Sequence, residues 1–171
     1  MSLSNLLHEN NYDLFCDDFT TNILTTTEIN DQIEIPQRLM PSMAIYAPGN
    51  TGVTITLKYA INGPVNIFYD SATATLTTTN TSLLSFVLAG SDVLPIASLG
   101  IPEPKGSVGV QYRSPIIAII NDVNTLVNFI VEKVNSTSVK MYIKSIDGTN
   151  FPNSADNGVI AFSCAHYAIQ D

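Results

Sequence analysis

Charged residues are scarce in this chain of 171 residues, where they make up only 13% of the sequence. The seven Lys and Arg residues are spread along the chain, whereas binding to nucleic acid phosphates requires clustered basic side chains. We therefore expect no nucleic acid partner. The sequence also lacks an apolar run of about 18 residues, the minimum for a transmembrane helix, so we expect no membrane insertion.

Cysteine and histidine are equally scarce, with two residues of each. His8 and Cys16 lie near the N terminus, and Cys164 and His166 lie near the C terminus. Zinc sites need three or four such ligands at short spacing, which this distribution does not provide. Cys164 and His166 would share one side of a strand, but we interpret them as residues of a closing strand rather than as nucleophile and base. We predict free thiols, no cofactor, no metal site and no enzymatic activity.

The acidic residues are concentrated at the N terminus. Residues 1–37 contain seven carboxylates and no Lys or Arg, whereas residues 38–171 contain eight acids and seven bases. This predicts an acidic N-terminal arm, residues 1–37, and a nearly neutral body, residues 38–171. Asp13, Asp17 and Asp18 could supply oxygen ligands to Ca²⁺, but they lack the EF-hand pattern, and we favour a plain acidic face.

Apolar side chains are interspersed among the acids of the arm, and they need a surface to cover them. Leu3, Leu6 and Leu7 have helical spacing, but so short a helix would not be stable alone. We predict that the arm binds a partner chain through its larger apolar side chains: Leu6, Leu7, Leu14, Phe15 and Phe19.

The body shows the alternation that is typical of β-strands. From Val53 to Ile61 apolar residues occupy every second position, which predicts a half-buried strand, and the following Asn62-Gly63 predicts a tight hairpin turn. The run Ile116–Ile120 has no polar face and predicts a central strand covered on both sides. We predict an all-β fold, an antiparallel β-sandwich of the jelly-roll type with about eight to ten strands.

Two segments leave alternatives open. Residues 123–134 fit an amphipathic helix capped by Asn121 or Asp122, but their Val and Phe content favours a strand in a hairpin. Residues 94–109 are rich in Pro and Gly and form the longest predicted loop, a place where binding often occurs. Together with strand tyrosines and many Asn residues, this loop suggests a ligand surface for a glycan, at Tyr112, Arg113 and Lys105.

The arm resembles a segment of known proteins. The residues Ser2-Leu3-Ser4-Asn5-Leu6-Leu7, then Asn11-Tyr12-Asp13-Leu14-Phe15-Cys16, and the Thr-rich run to Thr27 resemble the N terminus of virion surface, fibre-type or minor capsid β-head proteins of large DNA viruses and virophages. This resemblance implies a jelly-roll-like head, a homotrimer, an arm that binds other capsid proteins, and a place in the virion after assembly in the host cytoplasm.

Two hypotheses of function follow from the sequence. The first is a viral structural protein, a self-associating β-sandwich anchored through its arm. The alternative is a glycan- or receptor-binding β-sandwich module. The residue inventory gives no support to an enzyme.

Overall fold

The computed structural model of the protein describes residues 35–47, 52–73, 76–153, 160–162 and 164–169. Almost all regular structure in these ranges is β, which confirms the all-β prediction. The predicted acidic arm lies outside the described residues, except for residues 35–37, and with it all the residues predicted to mediate assembly, Leu6, Leu7, Leu14, Phe15 and Phe19. Among the described residues, no helix is long and apolar enough to cross a membrane.

Eleven strands and one short helix make up the described body. The first half contains β1 (Arg38–Leu39), β2 (Met43–Tyr46), β3 (Val53–Ile61), β4 (Val65–Ala72) and β5 (Leu83–Val87). The second half contains β6 (Leu94–Pro95), α1 (Ile96–Leu99), β7 (Gln111–Ile120), β8 (Val123–Asn135), β9 (Ser138–Ser145), β10 (Ile160–Phe162) and β11 (Cys164–Tyr167).

All strand pairs are antiparallel, and they form a single curled sheet in the order β10-β7-β8-β9-β5-β2-β3-β4-β11, with β1 on β3 and β6 on β9. The strands at the two ends of this order, β10 and β11, are consecutive in the chain and are separated by residue 163 alone. The last segment of the chain therefore pairs with β7 first and with β4 next. This change of partner brings the two ends of the sheet together around one core.

Ser114 adds a link between β7 and β11. Its hydroxyl group accepts a 2.9 Å hydrogen bond from the backbone N–H of His166 and lies 3.3 Å from the carbonyl oxygen of the same residue, to which it donates. The neighbouring Pro115 has no N–H to offer to a strand. At this point the contact between the two strands thus depends on a side chain.

The hairpin predicted at Asn62-Gly63 is confirmed. Ile61 pairs with Val65 across the turn, and the N–H of Asn62 donates a 3.0 Å bond to the carbonyl oxygen of Pro64. Gly63 has a φ of 73°, a left-handed conformation that glycine adopts without steric cost.

Residues 123–135 form the strand β8, as the preferred hairpin interpretation predicted. The helical alternative fails because Asn121 and Asp122, instead of capping a helix, form the two-residue turn between β7 and β8. Their φ angles are 49° and 62°, the positive values that a tight hairpin turn requires at both central positions.

The prediction that Ile116–Ile120 is covered on both sides is wrong. Ile116, Ala118 and Ile120 are buried, whereas Ile117 and Ile119 are exposed. The curled sheet encloses its core on the inner face, and no described residue covers this part of its outer face. An unbroken apolar run in the sequence therefore does not show that a second layer covers the outer face of the sheet.

The buried side chains of β10 and β11 do not follow one strict alternation. Strict alternation places Phe162 on the opposite face from Ala165 and Tyr167, yet all three side chains are buried. β10 pairs with β7 and β11 pairs with β4, and the alternation of buried side chains shifts by one position between these two strands. Phe162 joins the core beside Phe86 and Phe129, with ring centroids 6.5 Å and 5.3 Å away.

The predicted long loop contains β6 and α1, and it is held against the sheet. The hydroxyl groups of Tyr59 and Tyr167 donate to the carbonyl oxygens of Gly100 and Pro102, the second bond measuring 2.9 Å. Lys133 of β8 is buried. Its Nζ lies 2.6 Å from Oε1 of Glu103 and donates a 2.7 Å hydrogen bond to the carbonyl oxygen of Gly106. These bonds fix the loop in one conformation.

Candidate functional site

A shallow depression of about 510 Å³ lies on the outer face of β5, β9, β8 and β7. Each of these strands pairs with the next one in that order. The depression is thus built on the face of fully paired strands, and alternate residues of each strand point into it. The polar side chains that line it include Gln111, Arg113, Asn128, Glu132, Tyr142 and Lys144.

Strand register aligns these side chains in rows across the sheet. Glu132 pairs with Gln111 on one side and with Lys140 on the other, which forms the first row. Ile130 pairs with Arg113 and with Tyr142, which forms the second. In the third row, Asn128 pairs with Pro115 and Lys144. Cross-strand partners on one face lie about 5 Å apart, close enough for direct side-chain contact.

A hydrogen-bonded network joins the first two rows. Oε2 of Glu132 accepts a 2.7 Å bond from Nε2 of Gln111 and a 2.8 Å bond from the hydroxyl group of Tyr142. Oε1 of Gln111 in turn accepts a 2.8 Å bond from Nη2 of Arg113. Each of these groups is oriented by another, so the network is a preorganised polar surface rather than a set of independently mobile side chains.

Tyr142 has a raised pKa. Its partial burial raises the pKa to about 12, and the hydrogen bond and the negative charge of Glu132 contribute in the same direction, while Arg113 opposes them. The hydroxyl group therefore stays protonated at neutral pH. It acts there as a hydrogen-bond donor to Glu132 and not as a base.

The floor of the depression is apolar. Ile130 lies on the outer face but is only 3% exposed, because its cross-strand partners Arg113 and Tyr142 flank it on both sides. A ligand in the depression would meet a small hydrophobic floor and a polar rim, the combination found in many small-molecule sites.

The predicted ligand surface is only partly assembled. Tyr112 and Arg113 are adjacent in β7 and lie on opposite faces of the sheet. The Tyr112 ring packs near Tyr167, with centroids 6.2 Å apart, and its hydroxyl group donates a 2.6 Å bond to the carbonyl oxygen of Lys105. Arg113 alone reaches the outer depression. The structure thus groups Tyr112 with Lys105 and places Arg113 elsewhere.

Sequence reasoning missed Gln111, Glu132 and Tyr142 as partners of Arg113. For Gln111 and Glu132 the sequence contained the necessary signal. Gln111 and Arg113 are two residues apart in β7 and therefore point to the same side of the sheet, and the two-residue turn at Asn121-Asp122 sets the pairing of β7 with β8.

The structure describes only part of the pair Cys164 and His166. His166 is exposed on β11, and its backbone N–H donates a hydrogen bond to the hydroxyl group of Ser114. The side chain of Cys164 lies outside the described part of the structure. Within the ranges that the structure describes, no three His, Cys, Asp or Glu side chains are placed to hold a metal ion.

A second feature of the outer face is an apolar patch on the β7–β8 hairpin. Its residues are Ile117, Ile119 and Leu126, which are 60%, 41% and 58% exposed. Ile117 and Leu126 are direct cross-strand partners, and Ile119 lies two residues after Ile117 on the same face of β7. We refer to these three residues as the hairpin patch.

Comparison of the chain with protein family models, with curated protein sequences and with solved structures found no match.

Proposed function

We propose that the protein is a structural subunit that self-associates through its β body. The observation that carries this proposal is the hairpin patch, in which three large apolar side chains lie together on the outer face of a sheet. Burial of apolar surface contributes about 25 cal/mol per Å². Contiguous exposed apolar patches of this kind mark interaction surfaces more often than isolated exposed residues do.

A second copy of the chain is the occupant that we propose for the hairpin patch. The body carries few charged residues, with eight acids and seven bases over residues 38–171, so little charge repulsion opposes contact between copies. The patch is carried by a rigid two-stranded element, whose backbone need not reorganise on association.

The resemblance of the arm supports a more specific form of this proposal. In that form the protein is a viral structural protein of the virion, a capsid-associated or fibre-type head that forms a homotrimer. Its arm binds other capsid proteins through Leu6, Leu7, Leu14, Phe15 and Phe19.

Light scattering of the full chain tests self-association. We expect a mass above that of the 18.5 kDa monomer, and a lower mass for the double variant Ile117→Ser, Leu126→Ser. Val108→Ser is the matched control, because Val108 is 69% exposed and lies outside the hairpin patch. A monomeric wild-type chain, or a double variant with unchanged mass, would contradict the proposal.

A second candidate function is saccharide or receptor binding. The observation that favours it is the outer depression, in which Gln111, Glu132 and Tyr142 form one hydrogen-bonded network beside Arg113. Such a surface offers fixed donors and acceptors to the hydroxyl groups of a sugar. The two functions use different surfaces, so that one protein can carry both.

A further inference from the structure

The outer depression concentrates basic side chains in an acidic protein. The chain has a net charge of −8 and only seven Lys and Arg residues, yet three of them line this depression: Arg113, Lys140 and Lys144. The carboxylates that line it are Asp92 and Glu132. The charge of the depression is thus opposite in sign to that of the whole chain.

Both carboxylates are already engaged. Asp92 lies 3.1 Å from Nζ of Lys140, and Glu132 accepts bonds from Gln111 and Tyr142.

Arg113 and Lys144 are the two cations that remain. Arg113 bonds to the neutral amide of Gln111, and the described residues place no carboxylate within ion-pair distance of Arg113 or Lys144. Both have exposed side chains, so that their charges are available to a ligand.

The register places these two cations in adjacent rows of the depression. Arg113 is in the row of Ile130, and Lys144 is in the adjacent row of Asn128. Strands β7 and β9 lie on either side of β8, about 10 Å apart. Both side chains line the same depression from the two strands that flank β8, an arrangement that suits a single negatively charged group bound between them.

We propose that the depression binds an acidic saccharide, whose carboxylate or sulfate group is held between Arg113 and Lys144. Arg113 offers a planar guanidinium group that matches an oxyanion in two-point geometry, and Lys144 adds a point charge. This inference rests on the second candidate function and is independent of self-association.

The surrounding side chains favour a saccharide over a peptide. Asn128 and Ser85 line the depression, and each can both donate to and accept from a sugar hydroxyl group. An extended peptide usually binds by adding a strand to a free sheet edge, but here β5, β9, β8 and β7 are paired with one another along the depression. Recognition must therefore proceed through side chains.

Calorimetric titration of the full chain tests the proposal. The probes are sialyllactose for the carboxylate, a sulfated disaccharide for the sulfate, lactose as the neutral sugar and acetyl-triglutamate amide as an acidic peptide. We expect at least one of the two acidic saccharides to bind, and more tightly than lactose or the peptide. Arg113→Gln and Lys144→Gln should each weaken this binding about tenfold or more, because each removes a charge-assisted hydrogen bond.

Lys58→Gln is the matched control, because it removes the same charge from a side chain that pairs with Asp70 at 2.8 Å outside the depression. A loss of binding in this control equal to that of Lys144→Gln would mean non-specific charge attraction and would overturn the proposal. Binding of the acidic peptide as tight as that of the sugars would also overturn it.

Two other results separate this inference from the function on which it rests. If lactose binds as tightly as sialyllactose and the Arg113 and Lys144 variants are unaffected, saccharide binding stands and the anionic specificity is wrong. If none of the saccharides binds, the second candidate function and this inference both fail.

Discussion

The hydroxyl group of Tyr142 donates a 2.8 Å hydrogen bond to Oε2 of Glu132 on the neighbouring strand. This contact holds two side chains of the outer depression in fixed positions, and it makes the ionisation of the tyrosine depend on the glutamate. Burial of Tyr142 is the largest cause of its raised pKa, and the bond to Glu132 is the next.

We predict that Glu132→Gln lowers the pKa of Tyr142 from about 12 toward its ordinary value of 10.0, because the negative charge that disfavours the phenolate is lost. Absorbance at the tyrosinate wavelength, titrated against pH, measures this change. Subtraction of the Tyr142→Phe titration isolates Tyr142 from the other tyrosines. An unchanged pKa in Glu132→Gln would mean that the contact is absent in solution.

The same pKa predicts how stability changes at alkaline pH. Because the folded-state pKa is raised, the contribution of Tyr142 is fully present below about pH 10 and is lost as the pH rises toward 12. Urea denaturation across this range should therefore show a smaller loss of stability for Tyr142→Phe than for the wild-type protein. Equal losses would contradict the prediction.

The buried Lys133 gives a prediction about the long loop. Removal of one partner leaves an uncompensated buried charge, which costs about 3–5 kcal/mol for a fully buried pair. The side chain of Lys133 is only 7% exposed, but that of Glu103 is 33% exposed. Water at the position of Glu103 therefore partly solvates the charge of Lys133 that remains. We expect Glu103→Gln to lower the free energy of unfolding by about 1–3 kcal/mol, measured by urea denaturation.

The control for this prediction is Asp70→Asn. Asp70 pairs with Lys58, and both side chains are a quarter or more exposed, so this change should cost less than about 1 kcal/mol. Equal effects of the two substitutions would show that the burial of Lys133 does not govern the stability of the loop.

Local patterns predicted the parts of the fold that depend on neighbours in sequence. The Asn62-Gly63 hairpin is one example, since its turn depends on adjacent residues, with Gly63 at the position of positive φ. The turn at Asn121-Asp122 is another. Once the position of this turn is known, the residues of β7 and β8 can be paired one by one away from the turn. This pairs Gln111 with Glu132, which gives part of the candidate site.

The exposure of Ile117 and Ile119 depends instead on whether another layer covers the sheet, which no local pattern contains. The same holds for the change of partner strand between β10 and β11, which is set by the closure of the whole sheet. The pairing of β8 with β9 shifts between Lys133 and Asn135, and this bulge places Tyr142 opposite Ile130. Sequence alternation alone could not locate that shift.

Asn121 provides a test of the β7–β8 turn. Its Nδ2 donates a 3.0 Å bond to Oγ1 of Thr78 and a 2.6 Å bond to the carbonyl oxygen of Pro152, and its side chain is buried. Asn121→Asp keeps a residue that tolerates positive φ but replaces these donors with a carboxylate that faces oxygen atoms. We expect a loss of about 2–3 kcal/mol in the free energy of unfolding.

Asp122→Asn is the control for this substitution. Asp122 has a positive φ of 62° in the same turn, and its side chain is exposed, so the change should be nearly neutral. If Asn121→Asp were equally neutral, the bonds to Thr78 and Pro152 would not stabilise the turn.

Deletion of residues 1–34 separates folding of the body from assembly through the arm. The pairing of β1 with β3, Arg38 with Tyr59 and Leu39 with Lys58, lies wholly within the retained chain, as does the core of the sheet. We therefore expect an unchanged far-ultraviolet circular dichroism spectrum per residue of the body and a cooperative thermal transition.

If the arm contributes apolar contacts between copies, light scattering should show a lower degree of association than for the full chain. An unfolded product would mean that the arm is part of the core of its own chain, and an unchanged degree of association would limit the self-association interface to the body.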